Sequence, residues 1–200
     1  MQAFKHAVWV CAAVSLSACG VPEEPSQQEA LAEQQAALVT GTSQGCTFTI
    51  SSAQIPNVLP PRWRVTLTRS ASVTCAPGAG SLVLGESYNP PSIALLANSL
   101  GVATAFPYKH SPSGSSNIQC KVNHIDPATL AVVRDTNIVA YFGMGNITSC
   151  NLDQTDAGAT LVVYGMKTGA LPGEVGNKAN YVATYYDFFT STTPPVYYTY

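Results

Sequence analysis

Four sets of residues in this chain have types and spacing that could do chemistry. Gly41-Thr42-Ser43-Gln44-Gly45 matches G-x-S-x-G, in which a strained strand-to-helix turn presents a serine nucleophile. Here the pattern precedes an alternating, strand-like run. No aspartate lies between it and His110, so Glu86 would have to complete a triad. It reads as a Gly/Ser linker. Residues 151–158 have the oxygen density of a calcium loop, with Asn151, Asp153 and Asp156 as candidate ligands. The glycine at position 158 comes too late for an EF-hand register, so a turn between strands is the plainer reading. Glycoside hydrolysis needs two carboxylates across a cleft. Glu86 and Glu174, expected in loops after comparable strands, are the pair that invites the idea; Asp126, Asp135, Asp153, Asp156 and Asp187 complete the acids after residue 40. Finally, six of ten tyrosines crowd the C-terminus: Tyr181, Tyr185, Tyr186, Tyr197, Tyr198 and Tyr200. A tyrosine offers a rigid apolar face with a hydrogen-bonding tip, suited to binding surfaces. The competing reading is a core strand at 181–189 and an edge strand at 196–200, after Pro194-Pro195.

The remaining motifs do not assemble a catalyst. Lys167-Thr168-Gly169 and Ser87-Tyr88-Asn89 echo motifs of penicillin-binding enzymes, yet no serine is followed by lysine three positions on. His110 and His124 are the histidines beyond the N-terminal segment, and His124 falls on an apolar face, as a partly buried histidine would. No CxxC or CxxH spacing supports a zinc site. The expectation is a non-enzymatic binding or structural protein without cofactor or metal. Two alternatives stand beside it: a carbohydrate-binding or adhesive module using Tyr181, Tyr185, Tyr186, Tyr197 and Tyr198, and a hydrolase using loop carboxylates.

Composition narrows the partners. Only 10% of the 200 residues are charged, against roughly 25% in an average soluble domain. Residues 41–200 carry eight basic and seven acidic side chains, so the scarcity of charge belongs to the domain. That balance supplies no basic footprint for nucleic acid. It suits contact with a neutral glycan or another envelope protein.

The N-terminus reads as an address. Lys5 and His6 precede an apolar run from Ala7 to Leu16, too short for a transmembrane helix of ~20 residues and shaped like a secretory signal. Leu16-Ser17-Ala18-Cys19 resembles the lipobox of bacterial lipoproteins. The resemblance implies cleavage after residue 18, acylation of the Cys19 thiol and amino group, and anchoring in a membrane through that lipid. Gly20, in place of aspartate, resembles an outer-membrane address in a Gram-negative bacterium. Residues 19–40 then read as a polar tether.

Four cysteines remain for an exported domain: Cys46, Cys75, Cys120 and Cys150, an even number that implies two disulfides. Their spacings of 29 and 30 accompany an ordered series of matches at offsets of 74 to 80 residues. Cys46 to Ile50 lie on Cys120 to His124, and Val102-Ala103-Thr104 lies on Val182-Ala183-Thr184. An internal duplication pairs Cys46 with Cys75 and Cys120 with Cys150, each bridge contributing roughly 3–4 kcal/mol in the chain-entropy model.

The elements that must position all this are strands. Apolar and polar residues alternate at 46–50, 63–67, 118–123 and 138–144, the pattern of antiparallel sheets with one wet face. Within the domain, residues 92–100 are the one helix-like stretch. Frequent Pro/Gly turns give an all-β antiparallel sandwich over 41–200, with halves 41–112 and 113–190 related by a pseudo-two-fold and a tyrosine-rich segment at 191–200. Two tandem domains meeting near 109–117 are the other arrangement.

Overall fold

The computed structural model describes residues 38–141 and 145–200. The expected signal, Cys19 and the tether up to residue 37 lie outside the described residues. Twelve strands follow one another: β1 (Leu38–Ser43), β2 (Cys46–Gln54), β3 (Trp63–Ser70), β4 (Gly80–Ser87), β5 (Ala94–Asn98), β6 (Gly101–Tyr108), β7 (Gln119–Ile125), β8 (Val132–Ile138), β9 (Asn151–Thr155), β10 (Thr160–Met166), β11 (Asn180–Tyr185) and β12 (Val196–Thr199). They form three antiparallel four-stranded meanders, β1–β4, β5–β8 and β9–β12, in which every neighbour in sequence is a neighbour in space. The all-β antiparallel class expected from the alternation is what the chain adopts.

The sandwich has three layers. The middle sheet is covered on both faces, so β6 is buried from Gly101 to Pro107. Alternation splits its side chains between two cores. Val102, Phe106 and Ile125 meet Phe48, Ile50, Val65 and Leu67 of the first sheet. Ala103, Ala105, Cys120 and Val122 meet Leu161, Val163, Tyr181, Ala183 and Tyr185 of the third. Doubly covered strands carry near-continuous apolar runs, and that is how Gly101-Val-Ala-Thr-Ala-Phe-Pro107 reads.

Both disulfides pair as the repeat spacing requires, Cys46–Cys75 and Cys120–Cys150. Their tasks differ. The first ties the start of β2 to the β3–β4 loop. The second joins β7 of the middle sheet to the residue before β9, across two layers. The repeat correspondence places β2 on β7 but does not carry through the hairpins: Ile50 pairs with Leu67 of β3, whereas His124, its counterpart, pairs with Arg134 of β8. β4 stays in the sheet of β3, whereas β10, its counterpart, opens into the next sheet from β8. The sheets therefore divide the chain in three, and halves 41–112 and 113–190 share the middle sheet, two strands each. β6 and β7 pair across residues 109–118, so no domain boundary falls there.

Three local expectations need correction. The 92–100 stretch is not a helix but carries β5 (Ala94–Asn98), because Leu95 and Ala97 pack on the first core while Ala94 and Leu96 pack on the second; burial on alternate faces overrides helix propensity. β8 ends at Ile138, at the start of the expected 138–144 run, of which residues 142–144 lie outside the described residues. β1 starts at Leu38, inside the expected tether, because it pairs with β2 along its whole length.

Candidate functional site

The outer face of the third sheet is built by register. Antiparallel pairing sets side chains in rows across the strands. One row runs Asn151, Tyr164, Val182, Tyr198 from β9 to β12. Beside it run Asp153, Val162, Thr184, Val196 on one side and Met166, Asn180, Tyr200 on the other. Tyr164, Met166, Val196, Tyr198 and Tyr200 are 40%, 56%, 60%, 66% and 57% exposed. Tyr198 and Tyr200, two apart on one strand, stack with centroids 5.8 Å apart and planes 26° apart. The contrast with the first sheet is chemical. Its outer rows read Thr49–Thr68–Ser81 and Ser51–Thr66–Val83. The same alternation thus dresses one outer sheet in hydroxyls and the other in aromatic and aliphatic side chains. Asp153 is the one charged group in the three rows of the third sheet.

The tyrosines expected to act together divide between core and surface. Tyr181 and Tyr185 point inward from β11 and are fully buried. Burial raises both phenol pKa values. Tyr181 donates its hydroxyl hydrogen to Ser149 O at 3.1 Å. Among the described residues the buried Tyr185 hydroxyl has no hydrogen-bond partner within bonding geometry, and the Arg134 guanidinium lies 4.9 Å from its ring centroid. As surface ligand contacts these two are corrected to core residues, since odd positions of β11 face the middle sheet. Tyr186 is exposed in the turn after β11, and Tyr197 is half-buried against the core. The surface set is Tyr164, Tyr198 and Tyr200. Tyr164 carried no signal by itself in the sequence; it joins the others only through sheet register.

A groove of about 240 Å³ borders this face. One wall is the loop 171–175 and the other is Tyr197, Tyr198 and Thr199 of β12. The loop is held from beneath by Lys167, the residue after β10. Its ammonium donates to Gly169 O (3.0 Å), Lys178 O (2.6 Å) and Glu174 Oε1 (3.0 Å). Glu174 also accepts from the backbone N–H groups of Leu171 (2.7 Å) and Lys178 (2.8 Å). Burial opposes ionisation of this carboxylate, but the hydrogen bonds from Lys167, Leu171 and Lys178 outweigh it and hold its pKa at about 2. Every strong donor and acceptor of the pair is satisfied, the condition under which buried charge is tolerated.

The other candidates are placed elsewhere. Ser43 closes the β1–β2 turn, where Gly45 takes φ +78°. It is buried and donates to Asn98 O at 2.6 Å, so it is no exposed nucleophile. Glu86 is within β4, not in a loop, and is bound by Arg62 (3.0 Å) and Arg64 (2.7 Å). Glu86 and Glu174 belong to the two outer layers and do not form a facing pair. Asn151 and Asp153 lie along β9, whereas Asp156 begins the turn after it and accepts from Thr160 Oγ1 at 2.7 Å. Asp156, Ala157 and Gly158 are all left-handed there, and the carboxylate caps the turn. Among the described residues no group of three His, Cys, Asp or Glu could hold a metal ion. His110 is exposed near Ser116. His124 is buried beside Phe188 and Phe189, with Gly101 leaving the space: a Cβ there would come within 2.8 Å of the ring. Burial lowers its pKa.

No family model, no curated protein and no solved structure matches this chain.

Proposed function

We propose that this is a lipid-anchored protein of the cell envelope, acylated on Cys19 at the outer membrane of a Gram-negative bacterium, with a binding role and no catalytic one. The outer face of the third sheet takes a neutral glycan. What carries the reading is the composition of that face: Tyr164, Tyr198 and Tyr200 exposed in register, with Asn151, Asn180 and Thr184 interleaved and one carboxylate among the three rows. Aromatic faces pack on the apolar faces of sugar rings, while amides and hydroxyls meet their hydroxyl groups. A face so poor in charge attracts no ionic partner. The core packed beneath the third sheet holds its strands in register, which limits the ordering cost of binding.

Two measurements test the two halves of the proposal. Metabolic labelling with a radioactive fatty acid marks the wild-type chain and leaves Cys19→Ala unlabelled; equal labelling of both removes the anchor. Titration with cello-, malto- and chito-hexaose gives saturable binding to at least one, weakened tenfold or more in Tyr198→Ala/Tyr200→Ala. A chain that binds none of the three is not reading a neutral glycan on this face.

A further inference from the structure

The connection from β11 to β12, residues 186–195, is fastened to the middle sheet by two opposed residues. His124 of β7 pairs with Arg134 of β8 in register, and residues so paired project from the same face. Arg134 holds the connection by its backbone. Its guanidinium donates to Ser191 O at 2.9 Å and to Thr193 O at 2.6 Å. It also lies 5.1 Å from the Phe188 ring centroid, within cation–π range. His124 holds the connection by its side chains. Its ring is 5.9 Å from Phe188, tilted by 50°, and 5.0 Å from Phe189, edge-on at 89°. Phe188 therefore packs against both.

The cluster has little spare room. Phe188, Phe189 and His124 are all buried. Across from them, a Cβ on Gly101 would come within 2.7 Å of Phe189 and 2.8 Å of His124. Two charged groups act on the imidazole. Arg134, on β8, is a permanent cation. Asp126 stands in the turn after β7, where its Oδ1 already accepts from the Ala128 and Thr129 amides and the Thr129 hydroxyl. β6 presents Gly101 to the ring, and the connection presents Phe188 and Phe189; its own ionisable side chains, Tyr186 and Asp187, are exposed. Burial is the largest influence on the ring and lowers its pKa; Asp126 opposes this and Arg134 adds to it. A neutral imidazole suits this setting. An imidazolium puts a like charge directly opposite Arg134 and a cation into aromatic packing.

We propose that residues 186–195 form an acid-released strap: when His124 takes up a proton, Phe188 and Phe189 leave the ring so that water can reach it. The open strap holds the proton and the closed one excludes it, so uptake and opening are one linked step. The sign follows. The closed form binds the proton more weakly than an exposed histidine, whose pKa is about 6.5. Closure is therefore complete above that value and weakens as pH falls below it. β12 starts at Val196, directly after the strap, so the strap sets how the chain enters that edge strand. The device does not depend on what the outer face of the third sheet binds.

The test is amide hydrogen exchange of the full chain at pH 7.5 and pH 5.0, each rate corrected for intrinsic chemical exchange. The Phe188 amide donates to Ala159 O at 2.9 Å and the Ser191 amide to Asp187 O at 2.8 Å; both report strap opening. At pH 5.0 their protection is expected to fall tenfold or more. The Ile147 amide, bonded to Ile118 O at 2.8 Å, should keep its protection. His124→Gln stays neutral and should show the same strap protection at both pH values, whereas His110→Gln should respond as wild type does. In wild type, the imidazole signal of His124 should titrate with the same midpoint as the loss of strap protection. Unchanged strap protection in wild type overturns the proposal. So does a loss shared equally by Ile147, a response that survives in His124→Gln or vanishes in His110→Gln, or a His124 ring that titrates while the strap stays protected.

Discussion

The Nζ of Lys167 lies 2.8 Å from Oε2 of Glu174, with the two side chains 0% and 3% exposed. This pair closes the loop between β10 and β11, and with it one wall of the groove. Removing one partner of a buried pair leaves a charge without compensation, at a cost of about 3–5 kcal/mol. Lys167→Met is expected to lose that much in chemical denaturation. A double variant, Lys167→Met/Glu174→Leu, should lose less than the two single variants combined, because neither charge is left alone.

The same pair sets an acid limit. The folded-state pKa of Glu174 is depressed, so its contribution is fully present above the unfolded value of about 4.5. It is lost as pH falls from there toward about 2. Stability measured between pH 6 and 2.5 should decline for wild type, and the decline should be shallower in Glu174→Gln. Parallel curves would assign the acid sensitivity to other carboxylates.

Arg69 is buried and, among the described residues, has no carboxylate partner. Its guanidinium donates to Gly78 O, Pro127 O and Ala128 O, each at 2.7 Å, and so joins the β3–β4 loop to the turn between β7 and β8. Arg69→Met strands three carbonyls and is expected to cost roughly 2–4 kcal/mol. Lysine, a point charge without the planar fork, should recover only part of it. Urea unfolding of the three proteins decides the matter.

Tyr185 offers a test with the opposite sign. A buried hydroxyl without a partner costs about 1–3 kcal/mol, and the ring is what packs against Arg134 and Phe188. Tyr185→Phe keeps the ring and is expected to stabilise the fold by up to about 1 kcal/mol. Loss of stability would mean the hydroxyl has a partner in solution.

Much of this architecture was legible in the sequence and some of it was not, for reasons that can be named. Alternation gave the antiparallel strands, and the 29- and 30-residue spacings gave both disulfides, because these are local patterns. The third layer was not legible. Nothing in the β5 sequence states that Ala94 and Leu96 face one core while Leu95 and Ala97 face another; that follows from having sheets on both sides. Of the tyrosines, Tyr198 and Tyr200 read correctly as edge-strand positions. Tyr181 and Tyr185 read as surface and core at once, and only the direction of β11 separates the two. Lys167 and Glu174 drew attention singly, for other roles, and not as a pair; Arg69 and Arg134 drew none, because their partners are backbone carbonyls, which carry no residue type. The outer face of the third sheet needed all four strands in register before Tyr164 could be placed beside Tyr198.

The most direct test of the account is a calorimetric titration of the full chain with neutral hexasaccharides, wild type against Tyr198→Ala/Tyr200→Ala. Both side chains are exposed, so the double variant should keep its melting temperature. The account predicts saturable binding by wild type and at least a tenfold loss in the variant. Binding that is equal in the two proteins, or absent from wild type, would contradict it.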